Sequence, residues 1–291
     1  MADPNSPVPE KTSADPRLRW PLLSQAERDA AYDNNKAVAD SAALIAARNE
    51  ASAIYRAAHG SALDKPYGPR ERNKIDLYPG ADRSAPCLVF IHGGYWQRNS
   101  REVFAMLAEG VAAHGWSVAI PGYTLAPKAS LTEIAQEIDQ ALDWLAAEGA
   151  GFGIAGPIVL SGWSAGGHLT ALALDHPAVT AGLAISGVYE LAPIRDTALN
   201  TALRLTDEEV QLLSPLRLAV VQKPLTIAYG SAELPALVWD AKHLDAARKA
   251  LGAPGDLVAI EGANHFSILD ELRRPDGILV TLARRLAGES V

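Results

Sequence analysis

Ser164 lies in the stretch SGWSAGGHL, residues 161–169, with Gly162 and Gly166 two positions to either side. A G-x-S-x-G run after an apolar segment and before a small-residue helix holds a serine hydroxyl out on a sharp strand-to-helix turn. The glycines remove side chains that would crowd the turn, and the helix N-terminus behind it favours developing negative charge. The chemistry implied is nucleophilic attack on an acyl carbon, which needs hydrogen-bond donors for the oxyanion. FIHGGYW, residues 90–96, offers a glycine-rich loop after an upstream strand. Gly94 and Tyr95 would present backbone N–H groups there, joined by that of Ala165, while Gly93 lets the loop bend close. His92 is read as holding this loop rather than transferring protons. Either motif alone is also what an ordinary turn looks like; both, in this order, point to one site.

A serine hydroxyl needs a base. His265, in EGANHFSIL, follows the last apolar strand and completes the chain order serine, acid, histidine. His59 and His114 end helices, His168 and His176 belong to the segment after Ser164, and His243 is mid-helix; these read as surface or packing residues. The acid is expected after the penultimate strand, PLTIAYGSAELPAL, where Glu233 stands at the strand's end. Asp240 and Asp245 fall in the following helix and Asp256 at the far end of the last strand. A glutamate serves if its backbone sits slightly further away; a solvated loop glutamate is the alternative. Tyr95, Trp96, Trp163 and Tyr189 could form an aromatic wall for an arylamine or aryl ester, unless some of them pack the core.

The elements that must position these residues alternate. APCLVFIHGG, SVAIPGYT, GPIVLSGWS, TAGLAISGV, PLTIAYGS and DLVAIEGANH are continuous apolar runs, and KIDLYP reads as an edge strand. Helical stretches separate them, so a mainly parallel, twisted sheet with helices on both faces is expected. Residues 1–19 read as a disordered arm. Residues 20–65 carry helices, one opened by a Ser24/Glu27 capping box and one with Leu44, Ala47, Ala51, Ile54 and Ala58 on one stripe. LDKPYGPRERN is read as a loop. Residues 66–291 form the catalytic domain, with a helical insert over about 190–222 in which Thr206 and Glu209 make another capping box. The insert and the N-terminal helices are the expected lid over the sheet's carboxyl edge, where open α/β sheets bind ligands.

Composition narrows the class. The 291 residues are 48% hydrophobic and 21% charged, with net charge −8 and one cysteine, Cys87. That excludes an intrachain disulfide and argues against a nucleic-acid partner. With no apolar leader and no long apolar run, a cytoplasmic protein acting on a small molecule, without membrane, is expected. No metal and no cofactor are expected. Asp240 and His243 share a helix face but no further ligands cluster with them. A homodimer is an expectation without an identifiable interface.

IHGGYWQ, SGWSAGGHL, ISGVYELAPI, APKASL and the HF pair at His265 together resemble the kynurenine formamidase (arylformamidase) family of α/β-hydrolases. The resemblance runs from about residue 65 to the C-terminus, with a weaker echo at ERDAAYDNNKAV. It implies a metal-free hydrolase, with Ser164, Glu233 and His265 as its triad, that opens a formyl amide on an arylamine. Trp163 stands where that family has His, Glu233 where it has Asp, and Thr124 where Asp precedes APKASL. A carboxylesterase of small or aryl esters, and a non-catalytic binding module on the same fold, are the competing readings.

Overall fold

The computed structural model describes residues 19–60 and 62–291; of the arm read over residues 1–19, all but Arg19 lies outside the described residues. Three helices come first: α1 (Gln25–Ala30), α2 (Asn34–Ala37) and α3 (Ser41–Ala58). Strands and helices then alternate: β1 (Ala62–Pro66), β2 (Lys74–Tyr78), β3 (Cys87–Ile91), α4 (Ala108–Ala112), β4 (Ser117–Pro121), α5 (Leu131–Glu148), β5 (Ile158–Trp163), α6 (Ala165–Leu172) and β6 (Val179–Ile185). The insert carries α7 (Ala192–Arg195), α8 (Asn200–Leu203) and α9 (Asp207–Leu212). The chain closes with β7 (Leu225–Gly230), α10 (Pro235–Ala250), β8 (Leu257–Ile260), α11 (Asp270–Arg273) and α12 (Ile278–Leu286). Among the described residues no helix is long and apolar enough to cross a membrane.

The eight strands form one sheet in the order β1-β2-β4-β3-β5-β6-β7-β8, antiparallel at β1/β2 and β2/β4 and parallel elsewhere. Successive side chains of a strand point to opposite faces. Cys87, Val89 and Ile91 of β3 therefore enter one core, with Ile134, Ile138 and Leu142 of α5, Leu169 of α6 and Leu237 of α10. Leu88 and Phe90 enter the other, with Phe104, Leu272, Leu279 and Val280. Both faces are covered, which explains why the central strands read as unbroken apolar runs. The parallel register pairs Ile91 with Gly162, Trp163 with Ile185, Ile185 with Ala228 and Gly230 with Ile260, so the carboxyl ends of five strands meet at one edge.

Two expectations fail at the sheet's antiparallel side. LDKPYGPRERN is not all loop, because its first residues pair as β1. KIDLYP is consequently an inner strand, β2, bonded on both sides, and its alternation reflects buried side chains rather than an exposed edge. The buried face of α3 does not follow its apolar stripe. Ile54 is 65% exposed, and Ser41, Arg48, Ser52 and Tyr55 are buried instead. The helix lies on a 3₁₀ segment, Arg101–Leu107, whose Met106 amide donates to Ser52 Oγ at 3.3 Å.

Charge fixes that packing. Asp76 of β2 is fully buried and accepts from Arg56 Nε of α3 at 3.0 Å and from Arg101 Nε at 3.1 Å. Asp64 of β1 bonds both arginines as well and donates its backbone N–H to Asp76 Oδ1 at 2.8 Å. Removing one partner of a buried pair leaves an uncompensated charge, which costs about 3–5 kcal/mol. Asp76→Ala should lower unfolding free energy by that order in urea titration, whereas Arg273→Ala, which breaks the half-exposed pair with Glu109, should cost about 1 kcal/mol or less.

Candidate active site

Ser164 ends β5 and caps α6 with φ 59° and ψ −116°, a left-handed conformation that a non-glycine residue adopts only where its surroundings impose it. Its N–H donates to the Ile185 carbonyl at 2.8 Å and its carbonyl accepts from His168 N at 3.1 Å. The glycines make room for the turn. A Cβ at Gly166 would run into the Ile91 carbonyl oxygen, and one at Gly162 into the carbonyl of Gly166.

His265 follows β8, and its Nδ1 lies 3.3 Å from Glu233 Oε2. Glu233 is held from its other oxygen, which accepts from Ser186 Oγ at 2.5 Å and from the Gly230 N–H at 3.0 Å. Its second carboxylate oxygen is thereby left to the imidazole. Trp163 Nε1 donates to the His265 carbonyl at 2.8 Å, and the two rings are 4.7 Å apart. The residue next to the serine thus fixes the loop that carries the histidine. Asp240 is occupied elsewhere, accepting from the N–H groups of Tyr189 and Glu190 at 2.6 and 3.1 Å, and Asp245 pairs with Lys249.

The glycine-rich loop comes up against the elbow: a Cβ on Gly93 would stand 2.9 Å from Ser164 Cβ and 2.6 Å from the Trp163 carbonyl. Gly94 has φ 121°, and Tyr95 and Trp96 follow with φ 51° and 57°. The Gly94 carbonyl accepts from Gln97 and Arg98 N at 3.0 Å each, and Asn99 Nδ2 donates to the Gly93 carbonyl at 3.1 Å. Below the loop His92 is stacked on Tyr123 at 4.2 Å, its Nδ1 donating to the Gly93 carbonyl at 2.9 Å.

Ser164, His265, Gly94, Tyr95 and Trp163 open into one cavity of about 370 Å³. A strained hydroxyl, an imidazole backed by a carboxylate and a backbone loop around one space are the parts nucleophilic acyl transfer uses. Ala165 begins α6 directly after Ser164 and is buried. Two of the four aromatics expected at the wall are elsewhere. Trp96 is turned into the core by the left-handed loop, edge-on to His168 at 5.0 Å. Tyr189 is buried with its ring over Gly187 and its backbone held by Asp240. Tyr32 and Phe266 stand at the wall with Tyr95 and Trp163.

The rest of the wall comes from segments outside the sheet. Asp29, Asn34 and Arg48 of the N-terminal helices line it, as do Thr197, Ala198 and Leu199 of the insert. Tyr95 Oη donates to the Tyr32 carbonyl at 2.5 Å and accepts from Asn34 Nδ2 at 2.8 Å, and Gln97 Nε2 donates to the Leu199 carbonyl at 3.0 Å. α9 does not reach the cavity, because Glu209 is drawn to the start of α5 and accepts from Thr132 N and Oγ1 at 3.1 and 3.0 Å. Sequence reasoning passed over Ser186, Asn34 and Arg48. The i, i+4, i+7 spacing of Arg48, Ser52 and Tyr55 was the available signal for the last, masked by the more apolar residues on the other face.

The BD-FAE family profile matches residues 75–178. Kynurenine formamidase of Danio rerio is 26% identical over 244 residues, covering 78% of this chain and 82% of that protein. A crystal structure from Silicibacter sp. tm1040, provisionally described as a thioesterase, superposes with a TM-score of 0.81 at 30% identity, over 88% of this chain and 98% of that one. This chain is an α/β-hydrolase of the kynurenine formamidase-like family. Esterase B of Lactobacillus rhamnosis, inhibited by a tributyrin phosphonate, shares the hydrolase's fold at 17% identity, with a TM-score of 0.67 over 85% of this chain and 95% of that one.

In this hydrolase Glu137 Oε2 accepts from the Thr124 N–H at 2.6 Å. Among the described residues no group of three His, Cys, Asp or Glu could hold a metal ion. Asp240 and His243 diverge, the histidine bonding the Trp239 carbonyl at 2.8 Å.

Burial pushes the His92 imidazole down to about 3 and that of His168 to about 4, from 6.5. Both stay neutral in the folded hydrolase where the unfolded chain already binds protons. Stability is therefore full above about pH 6.5 and falls below it, by about 1.4 kcal/mol per pH unit for each histidine until its folded value is reached. His92→Asn should make the decline between pH 6 and 4 shallower by about that slope, read as the difference from wild type in urea unfolding across pH.

Proposed function

We propose that this hydrolase removes a formyl or other small acyl group from an aromatic amine by a metal-independent serine mechanism. Ser164 attacks the carbonyl as His265 Nε2 takes its proton, Glu233 orients the imidazole and stabilises its charged form, and the amides of Gly94, Tyr95 and Ala165 receive the oxyanion. His265 then protonates the leaving amine, and water repeats the cycle on the acyl-enzyme. The carrying observation is the Glu233–His265 contact at the edge of the cavity into which the strained Ser164 opens. The likeness to Danio rerio kynurenine formamidase supports the amide substrate. Aryl ester hydrolysis is the second reading, favoured by Trp163, which leaves an apolar ring where the family's histidine would stand.

The N-terminal helices, residues 20–65, and residues 196–199 of the insert would act as a lid on the catalytic domain, bound to each other where Asp29 Oδ1 accepts from Ala198 N at 2.7 Å and Trp20 Nε1 donates to Asp196 Oδ2 at 2.9 Å. A cytoplasmic enzyme, monomer or homodimer, needing only its small-molecule substrate is the corresponding picture; the lone cysteine, Cys87, buried in β3 with its thiol pushed up to about 12, suits a reducing compartment.

N-formylkynurenine and 4-nitrophenyl acetate should both be turned over. Ser164→Ala should lose about 10⁴-fold or more in kcat and Glu233→Gln about 10²–10⁴-fold, with the kcat/KM ratio of the substrates choosing amide or ester. Undiminished turnover in Ser164→Ala would end the serine mechanism. Failure to label with an organophosphate would leave a binding module.

A further inference from the structure

Arg48 has no role in the chemistry above, yet it occupies an unusual position. The residue is 7% exposed and lies on the cavity wall. Its guanidinium carbon is 4.2 Å above the Phe104 ring, which is 5.8 Å from the Trp163 ring beside Ser164. Nε and Nη2 donate to the neutral amide oxygen of Asn49 at 3.3 and 2.9 Å. Among the described residues no carboxylate stands within ion-pair distance. Arg101, buried to the same degree, has Asp76, Asp64 and Glu102. Loss of solvent without a counter-charge pulls the Arg48 guanidinium down to about 10. A buried, unpaired cation is costly and is retained where something compensates it.

The other charges at the wall do not compensate it. Asp29 is used by Ala198 N and Gln25 Nε2, and Asp33 caps α2 through Lys36 N. Arg98 adds a second positive charge at the exposed rim. Arg48 Nη1 makes no hydrogen bond to another described residue, and the cavity that Arg48 borders, of about 370 Å³, has the size of a small-molecule site.

We propose that Arg48 is a specificity-determining residue that binds a carboxylate carried by the substrate, so that the enzyme prefers acidic amides or esters over their neutral counterparts. The inference rests on the acyl-transfer reading of the cavity. The carboxylate could sit on the leaving group or on the acyl chain, and the test separates the two. Two matched pairs serve: formanilide with 2-formamidobenzoate, and 4-nitrophenyl butyrate with 4-nitrophenyl hemisuccinate. Arg48→Met keeps an apolar stem over Phe104 and removes the charge; Arg48→Lys returns a charge without the fork.

For at least one pair, the acidic-to-neutral ratio of kcat/KM should fall about ten- to a hundredfold from wild type to Arg48→Met, chiefly through KM, with Arg48→Lys recovering part of it. The responding pair tells which side carries the acid. Ratios unchanged within twofold for both pairs overturn the proposal while leaving the acyl-transfer reading intact. Calorimetric binding of 2-aminobenzoate and succinate gives a readout without turnover. If none of the four substrates reacts, at least tenfold weaker binding of either anion to Arg48→Met upholds the anion site and sinks the acyl-transfer reading alone. Equal binding sinks the anion site too. If Arg48→Met does not fold, Arg48→Lys decides by the same ratios, a shift of less than twofold overturning the proposal.

Discussion

At the end of β5 the backbone turns so tightly that α6 begins against the carbonyl of Ile91 on the neighbouring strand, and Gly166 is the point of contact. That approach forces Ser164 into its left-handed conformation, brings the glycine-rich loop of β3 against its Cβ, and sets the level to which the other strand ends must rise. Ser186 repeats the device at the end of β6, with φ 51° and its N–H on the Ala228 carbonyl at 2.8 Å, and from there its hydroxyl reaches Glu233. The acid is thus held by a strand end, not by its own loop alone. A longer side chain than aspartate fits because the carboxylate is pinned from behind.

The parallel half of the sheet was legible in the sequence because each strand is buried on both faces and every helix between strands has its own apolar stripe. The placement of Ser164, Glu233 and His265 at the carboxyl ends of β5, β7 and β8 was legible because the topology fixes which strand end each follows. The antiparallel edge was harder. β1 is a short, half-exposed strand, ALDKP, ending in proline, and only its pairing with β2 makes it a strand. The orientation of α3 is hard to read for a related reason. Hydrophobicity points toward Leu44 and Ile54, but the ion pairs of Arg56 with Asp76 and Asp64 set the helix rotation, and Ile54 is left in solvent. Trp96 and Tyr189 look like wall residues by type, and only the loop dihedrals and the Asp240 contact send them inward.

Charge is spent in opposite ways along this one helix. Near its C-terminal end Arg56 is fully compensated and acts as a clamp between layers. Two turns earlier Arg48 is enclosed more deeply, against an aromatic ring, with only an amide for company. The clamp holds the helix in place, and the helix in turn holds an unneutralised cation at the cavity. Stability from the first arrangement offsets the cost of the second.

Tyr95 joins two parts of the molecule. Its backbone belongs to the loop beside the serine, while its hydroxyl bonds residues 32 and 34 in a segment that contributes nothing to the sheet. The helices of that segment are short and largely solvated, although Tyr32 and Asn34 themselves are buried. Substitutions at the solvated positions around them would therefore alter the cavity's far wall while the strand ends stay as they are. The far wall and the strand ends are thus written in separate stretches of the chain, and the shape of the one can be edited without rewriting the other.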